Sequence, residues 1–149
     1  IKTDQRTMWY IACPNCKKKL QGADEENLQA HCEKCDKTVM GSRRWIFSAS
    51  CADPSGSRYI SFFDDQACTM LGSRTADELA PLKVHNEPAF TAHFVNATFK
   101  SYMMKCRVKN EVYMEENKLK VSAMNIQPLD YLTEGRRLLE DIHAMRAQP

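Results

Sequence analysis

The chain carries two cysteine pairs, Cys13-Pro14-Asn15-Cys16 and Cys32-Glu33-Lys34-Cys35, and this stretch decides the interpretation of the rest. Each pair holds two thiols two residues apart, so that one short turn can present both to the same metal ion. The arm between the pairs is 15 residues long, enough for the second pair to fold back onto the first. The pattern predicts one structural Zn²⁺ bound by four thiolates, in a zinc ribbon spanning residues 12–40.

The ligand set also bears on catalysis. Four cysteine thiolates fill the tetrahedral shell of zinc and leave no open position for a reacting water molecule. His31 precedes Cys32 and is an alternative ligand, but the four cysteines already complete the shell. We therefore expect a metal that orders the polar arm of the ribbon, in a protein that is not an enzyme.

The composition is that of one ordinary domain of 149 residues that begins at Ile1, which we interpret as a piece of a longer protein. It has no apolar run as long as a membrane span and no signal-peptide pattern, so we expect a soluble protein without membrane contact. Three cysteines lie outside the ribbon, at positions 51, 68 and 106. Leftover thiols favour a reducing compartment, the cytosol or nucleus. A formal charge of +2 does not by itself indicate nucleic-acid binding.

Strand-like alternation recurs along the chain. The predicted strands are 8–12, 44–51, 58–63, 99–113 and 118–126. Between the third and fourth lie helices, of which one opens at a Thr75-Ala76-Asp77-Glu78 capping box and is limited by Pro81, and another opens at Asn86. Five curled antiparallel strands with a helical connection at that place describe the OB fold, a mostly β, partly open barrel that binds oligonucleotides.

The last two predicted strands have one apolar and one basic face. The apolar face of the fourth strand comprises Tyr102, Met104, Cys106 and Val108, and its basic face carries Lys105, Arg107 and Lys109. After a turn at Glu115-Glu116-Asn117, the returning strand is expected to have two different faces as well. One face carries Leu119, Val121, Ala123 and Asn125, and the opposite face carries Lys118, Lys120, Ser122, Met124 and Ile126.

The C-terminal stretch 130–145 predicts an amphipathic helix. Its apolar side consists of Leu132, Gly135, Leu138, Leu139, Ile142 and Met145. Such a stripe either packs on its own barrel or docks against helices of partner subunits. The helical spacing leaves both open.

Several segments together resemble the C-terminal domain of the large subunit of replication protein A, over essentially the whole chain. They are Tyr10-Ile11-Ala12-Cys13-Pro14, Lys17-Lys18-Lys19, Cys32-Glu33-Lys34-Cys35-Asp36, Phe63-Asp64-Asp65-Gln66-Ala67, Leu71-Gly72 and Leu129-Asp130-Tyr131. The resemblance implies an OB-fold domain over 1–128 that contains the zinc ribbon, and a helix over 129–149. In that family the helix joins two smaller OB-fold subunits, which implies an interface formed by the apolar side defined above.

The resemblance further implies binding of single-stranded DNA in the nucleus, during replication, repair or telomere maintenance. Bases stack on aromatic rings in a basic groove. The matching stacking residues are Tyr59, Phe63, Tyr113 and Tyr131. Lys120 is the implied phosphate contact, with Lys105 and Arg107 on the same face.

Two alternatives stay open. Telomerase-associated paralogues of the same subunit keep this architecture and prefer G-rich telomeric strands, which would make telomerase components partners. A pure assembly module would use the terminal helix alone and make little DNA contact. The sequence does not separate these from a general replication factor.

Overall fold

The computed structural model describes residues 8–113 and 116–147, without the side chains of 112, 113 and 116. Its strands are β1 (Trp9–Ala12), β2 (Gln29–Cys32), β3 (Lys37–Met40), β4 (Ser42–Asp53), β5 (Gly56–Phe63), β6 (Tyr102–Tyr113) and β7 (Glu116–Pro128). Its helices are α1 (Asp64–Met70), α2 (Ala76–His85), α3 (Glu87–Ala97) and α4 (Tyr131–Ala147). The five predicted strands are confirmed, and β2 and β3 form a separate hairpin within the ribbon. Of the predicted turn, residue 115 lies outside the described residues and its other two residues belong to β7.

The main sheet has five strands in the order β1-β4-β5-β7-β6. The expectation that all strands are antiparallel is wrong for one pair, because β5 and β7 run parallel and meet at Ser61 and Ser122. The helices connect β5 to β6, but β7 rather than β6 lies beside β5 in the sheet, and it runs in the same direction as β5. Within the described ranges, no hydrogen-bonded pairing joins the sheet edges β1 and β6, so the described contacts give an open mixed sheet.

One face of this sheet is buried under α1–α3. Alternate residues of β4 and β5 point inward, as the period of two predicts. The rings of Trp45 and Phe47 both contact Phe94 of α3 edge-on, at centroid distances of 5.9 and 5.8 Å. The Trp45 indole N–H also donates to the Arg74 carbonyl oxygen at 3.0 Å. Because the inner face is packed this tightly, the other face of β4, β5 and β7 is free to carry a binding surface.

A β-bulge corrects the predicted pattern of the last two strands. The register of β6 against β7 shifts between Lys105 and Cys106, which leaves Met124 of β7 as an extra residue. Beyond the bulge the inward and outward positions exchange, so Ile126 is buried and Asn125 is exposed, the reverse of the prediction. Alternation in the sequence alone cannot reveal one extra residue.

The predicted apolar face of β6 is also only partly correct. Tyr102 and Met104 pack against the core, whereas Cys106 and Val108 are exposed. Leu119 of β7 is exposed as well. The β6–β7 hairpin is 12 and 13 residues long on its two sides, and its outer half extends past the core.

The α2 helix confirms its predicted capping box, in which Thr75 and Glu78 satisfy each other's backbone amides. The expected stop at Pro81 is wrong, because the helix continues through it to His85. A proline inside a helix removes one hydrogen bond, and burial of Leu79 and Ala80 against the core outweighs that loss. No helix in the described part of the chain combines the length and apolar character needed to cross a bilayer.

Candidate metal centre and nucleic-acid interface

The four ribbon cysteines converge on one point. Their sulfurs all lie within 4.8 Å of one another, with Cys13 and Cys35 at 3.8 Å and Cys16 and Cys32 at 3.5 Å. Sulfurs bound to a tetrahedral zinc at about 2.3 Å lie roughly 3.8 Å apart, whereas a disulfide needs about 2.05 Å. The thiols are therefore unbridged and spaced as ligands of a single ion, which is compatible with a zinc site.

The two cysteine pairs share one backbone feature. After each second cysteine comes a residue with positive φ, Lys17 at 62° and Asp36 at 49°. Backbone hydrogen bonds close each turn, from Lys17 N–H to the Cys13 carbonyl at 2.9 Å and from Cys35 N–H to the Cys32 carbonyl at 3.1 Å. Left-handed backbone is unfavourable for residues with a Cβ. The same unfavourable backbone position therefore follows each cysteine pair.

The surroundings of the sulfurs are apolar on one side. Cys13 and Cys32 are buried in a small second core with Ile11 and Leu20. Backbone N–H donation, chiefly from Cys16, lowers the pKa of the Cys13 thiol to about 7. Contact with the neighbouring thiols, first that of Cys16, together with burial raises the pKa of Cys35 to about 12.

His31 is not among the sulfur-cluster ligands. Its Nε2 lies 3.4 Å from a carboxylate oxygen of Asp36. The arrangement therefore favours four cysteines over a mixed ligand set.

A carboxylate holds the ribbon to the rest of the molecule. Glu25, in the ribbon arm, accepts a hydrogen bond from the Trp9 indole N–H at 2.5 Å and another from Arg43 Nε at 2.9 Å. The Arg43 guanidinium also contacts Asp77 of α2 at 3.3 Å, and the ammonium of Lys83 lies 5.0 Å from the Trp9 ring centroid. We refer to Glu25, Arg43 and Asp77 as the ribbon junction.

Three of the predicted DNA-binding residues meet on the outer face of the sheet. Phe63, Arg107 and Lys120 line one groove of about 200 Å³. Phe63 is 39% exposed because its neighbour Phe62 takes the inward position. The other groove residues are Lys109, Glu111, Ser122 and Met124. We call this set of seven residues the outer groove.

Tyr59 lies on the same face of β5 as Phe63 and is 57% exposed. Ser61 separates the two rings along the strand. It pairs with Ser122 of β7, and its hydroxyl lies 3.3 Å from that of Ser48 on β4. Two exposed rings are thus separated by a floor of small side chains, which leaves room above it for a flat ligand.

The remaining predicted contacts are elsewhere or not described. Lys105 is exposed on β6 but does not line the outer groove. Tyr131 is 71% exposed at the start of α4, beyond the end of β7, and does not line it either. The side chain of Tyr113 lies outside the described residues.

Four residues of the outer groove were not among the DNA-binding residues predicted from the sequence, namely Lys109, Glu111, Ser122 and Met124. Lys109 pairs with Lys120 and Ser122 with Arg107 across β6 and β7, so the strand register places them there. Met124 is exposed, as the alternation on β7 predicts, but the bulge at this residue has no signal in the sequence. Glu111 follows Arg107 and Lys109 at intervals of two, and this spacing could have predicted that it lies on the same face of β6.

The apolar stripe of α4 is exposed over its whole length, and no described residue of this helix is buried. The alternative that the helix packs on its own barrel is therefore wrong. A Cβ added at Gly135 would meet nothing within 4 Å. Asp130 starts the helix by accepting from the Leu132 amide at 3.1 Å and the Thr133 hydroxyl at 2.6 Å.

Comparison with known proteins identifies the family. Residues 1–138 match the family described as the replication factor-A C-terminal domain. The chain belongs to this family. That membership confirms the resemblance noted in the sequence and the expectation that the chain is not an enzyme.

Individual members of the replication factor-A family align over most of the chain. The replication protein A 70 kDa DNA-binding subunit of Xenopus tropicalis is 40% identical over 142 residues, which cover 93% of this chain and 23% of that protein. The subunit of the same name from Mus musculus is 38% identical over 136 residues, which cover 89% of this chain and 21% of its own length. The chain thus spans less than a quarter of the length of these relatives.

Solved structures of the same family share the fold. A replication protein A heterotrimer bound to single-stranded DNA superposes with a TM-score of 0.76 and 31% identity, over 94% of this chain and 32% of the matched chain. Yeast replication protein A bound to single-stranded DNA superposes with a TM-score of 0.76 and 26% identity. The match covers 97% of this chain and 80% of the matched chain. The chain is therefore similar to the OB-fold domain of replication protein A.

Proposed function

We propose that this chain binds single-stranded DNA in its outer groove, as the OB-fold domain of a replication protein A-like large subunit that acts in the nucleus in DNA replication, repair or telomere maintenance. The observation that best supports this is that an exposed ring, Phe63, and two cations, Arg107 and Lys120, line the same groove. The matched solved relatives are bound to single-stranded DNA.

The chemistry of the groove suits an unpaired strand. A base can stack on Phe63 and another on Tyr59, because every base has a flat π-face whatever its sequence. The cations beside the ring attract the phosphates, and their binding releases counterions from the DNA. Lys105, Tyr113 and Tyr131 would then contact more distant parts of the strand. This division gives binding with little dependence on sequence.

The metal proposal is one structural Zn²⁺ held by Cys13, Cys16, Cys32 and Cys35. The sulfur distances support it, together with the repeated turns around the pairs. When bound, zinc supplies a fixed cross-link between the two halves of the ribbon and no open coordination site. We accordingly divide the chain into an OB-fold domain at 1–128, with the ribbon at 12–40 inserted in it, and an assembly helix at 129–149.

The open sheet is proposed to form a partly open OB barrel. One groove of about 470 Å³ is lined from both sides, by Cys51 and Ala52 of β4 and by Met104 and Cys106 of β6. The edges of β4 and β6 therefore face each other across this groove. Such a seam is what a partly open barrel leaves where its strands do not pair.

We propose that α4 assembles the chain with two smaller OB-fold subunits. Its exposed stripe supports this, because an unburied apolar face of this length is unfavourable in water. Gly135 lowers helix stability by about 1 kcal/mol relative to alanine, and no neighbour in this chain requires its small size. A partner helix approaching closely at this position accounts for both.

Removing the stacking surface should weaken DNA binding. We expect Phe63→Ala combined with Tyr59→Ala to lower the affinity for an oligothymidine strand by about 1–3 kcal/mol per ring lost. Fluorescence anisotropy titration at moderate salt measures the effect, and circular dichroism checks the fold. Phe99→Ala is the matched control, since this aromatic is fully exposed outside the groove. An unchanged affinity in the double variant would show that bases do not stack on these two rings.

Neutralising Lys120 should reduce the salt dependence of binding. Each phosphate contact with a single strand contributes about 0.7 to the slope of log K against log salt. We expect Lys120→Gln to lower the slope by up to about that amount, and Lys100→Gln, outside the outer groove, to leave it unchanged. Anisotropy titrations over a series of KCl concentrations provide the slopes. Equal slopes for wild type and Lys120→Gln would contradict the assigned phosphate contact.

Two other functions are tested by the same titrations. A pure assembly module would show no saturable change in anisotropy with any strand. A telomerase-associated relative would bind a G-rich telomeric strand more tightly than oligothymidine. Comparing the two strands on the assembled complex separates the telomeric hypothesis from a general role in replication.

A further inference from the structure

The outer groove contains one carboxylate among its seven lining residues, that of Glu111. Its Oε2 lies 3.3 Å from Nζ of Lys120, which is the proposed phosphate contact. Both side chains are 49% exposed. The groove thus holds an anion of its own beside the cation that a phosphate would contact.

Strand geometry explains how this carboxylate reaches the groove. Arg107, Lys109 and Glu111 follow one another at intervals of two along β6, so all three side chains lie on the same face. Lys109 is paired with Lys120 on β7, and Glu111 is the next outward residue on β6. A row of two cations on β6 therefore ends in an anion that reaches diagonally across to the third cation.

We propose that Glu111 competes with the DNA backbone for Lys120. In the free protein its carboxylate neutralises Lys120, and a bound phosphate takes its place. This inference rests on the proposed function, since it concerns the same groove. It makes Glu111 the residue that holds the affinity below what the three cations alone would provide.

The energetics allow the exchange. A half-exposed ion pair contributes only about 0–1 kcal/mol in water, and it is screened by salt. A phosphate can therefore displace the carboxylate without a large barrier. Once displaced, Glu111 remains close to the strand, where it retains cations and offsets part of the counterion release that Lys120 would produce.

A purely structural role for the pair makes a different prediction. Opposite charges on neighbouring strands stabilise a hairpin by roughly 0.2–1 kcal/mol. If this were the only role, replacing Glu111 would lower thermal stability slightly and leave DNA affinity and its salt dependence unchanged. The salt slope therefore separates competition from stabilisation.

The test uses Glu111→Gln, which keeps the size and removes the charge. We expect affinity for oligothymidine at low salt to rise about two- to fivefold, the range set by an exposed ion pair. We also expect the log–log salt slope to steepen by up to about 0.7. Glu140→Gln removes the same charge from α4, outside the groove, and should change neither quantity.

A second background isolates Lys120 as the target. In a Lys120→Gln chain, adding Glu111→Gln should raise the affinity less than it does in the wild type, because the cation for which it competes is absent. An equal gain in both backgrounds would overturn the proposal in favour of general repulsion of DNA by Glu111. Unchanged or weaker binding of Glu111→Gln, with a wild type that binds, would also overturn it and leave the proposed function standing. A wild type that binds no strand would defeat the proposed function itself.

Discussion

Cys32→Ser should abolish zinc binding and unfold the ribbon while the five-stranded sheet stays folded. Cys32 is 1% exposed, ends β2, and belongs to the small second core. Serine is too weak a ligand to replace a thiolate, and structural zinc sites contribute about 10–16 kcal/mol to folding in small zinc modules. We expect zinc content to fall from one ion per chain to a small fraction of that.

Elemental analysis of the purified chain measures the metal, and amide hydrogen exchange locates the unfolding. Protection should disappear in β2 and β3 and persist in β4 and β5, because the aromatic core does not depend on the ribbon sulfurs. Cys106→Ser is the matched control, since this thiol is exposed and lies outside the cluster. One zinc ion per chain in Cys32→Ser would show that the tetrathiolate assignment is wrong.

Leu139→Asp combined with Ile142→Asp should eliminate assembly with the two smaller subunits. Both side chains lie in the exposed stripe of α4, 57% and 50% exposed. Burying two carboxylates in an apolar helix interface without partners costs several kcal/mol. Since α4 buries no described residue in this chain, its own thermal unfolding should be unaffected. The expected loss therefore concerns association alone.

Co-expression followed by size-exclusion chromatography with light scattering gives the stoichiometry. Ala144→Asp adds a charge on the opposite side of α4 and should leave the complex intact. If the double variant still elutes as a heterotrimer, the stripe is not the interface. A complex lost in Ala144→Asp as well would instead indicate that the whole helix is sensitive to charge.

The parts of the fold that follow from local chemistry could be predicted from the sequence. The ribbon could be predicted from the cysteine spacing, because two pairs of thiols with this spacing can meet at one point. The capping box at Thr75 likewise involves groups only three residues apart. The parallel contact of Ser61 with Ser122 and the bulge at Met124 depend on how distant strands align, and no short segment encodes that alignment.

The candidate site divides in the same way. Phe63 and Lys120 were selected by resemblance and by alternation, and the structure places both in one groove. Lys105 shares the alternation of Arg107 yet lies outside the groove, on the other side of the register shift. The pairing of Glu111 with Lys120 is a cross-strand relation that becomes visible only once the register is known.

The ribbon junction limits how the ribbon can move relative to the main sheet. Arg43 stands just after the ribbon in sequence, and its guanidinium is shared between Glu25 within the ribbon and Asp77 on α2. The chain enters and leaves the ribbon through β1 and β4, which are themselves paired from Trp9 to Ala12. The paired strands β1 and β4 and the Arg43 guanidinium hold the ribbon at its base, so the ribbon cannot rotate freely relative to the main sheet. We therefore expect the ribbon and the main sheet to move together as one unit.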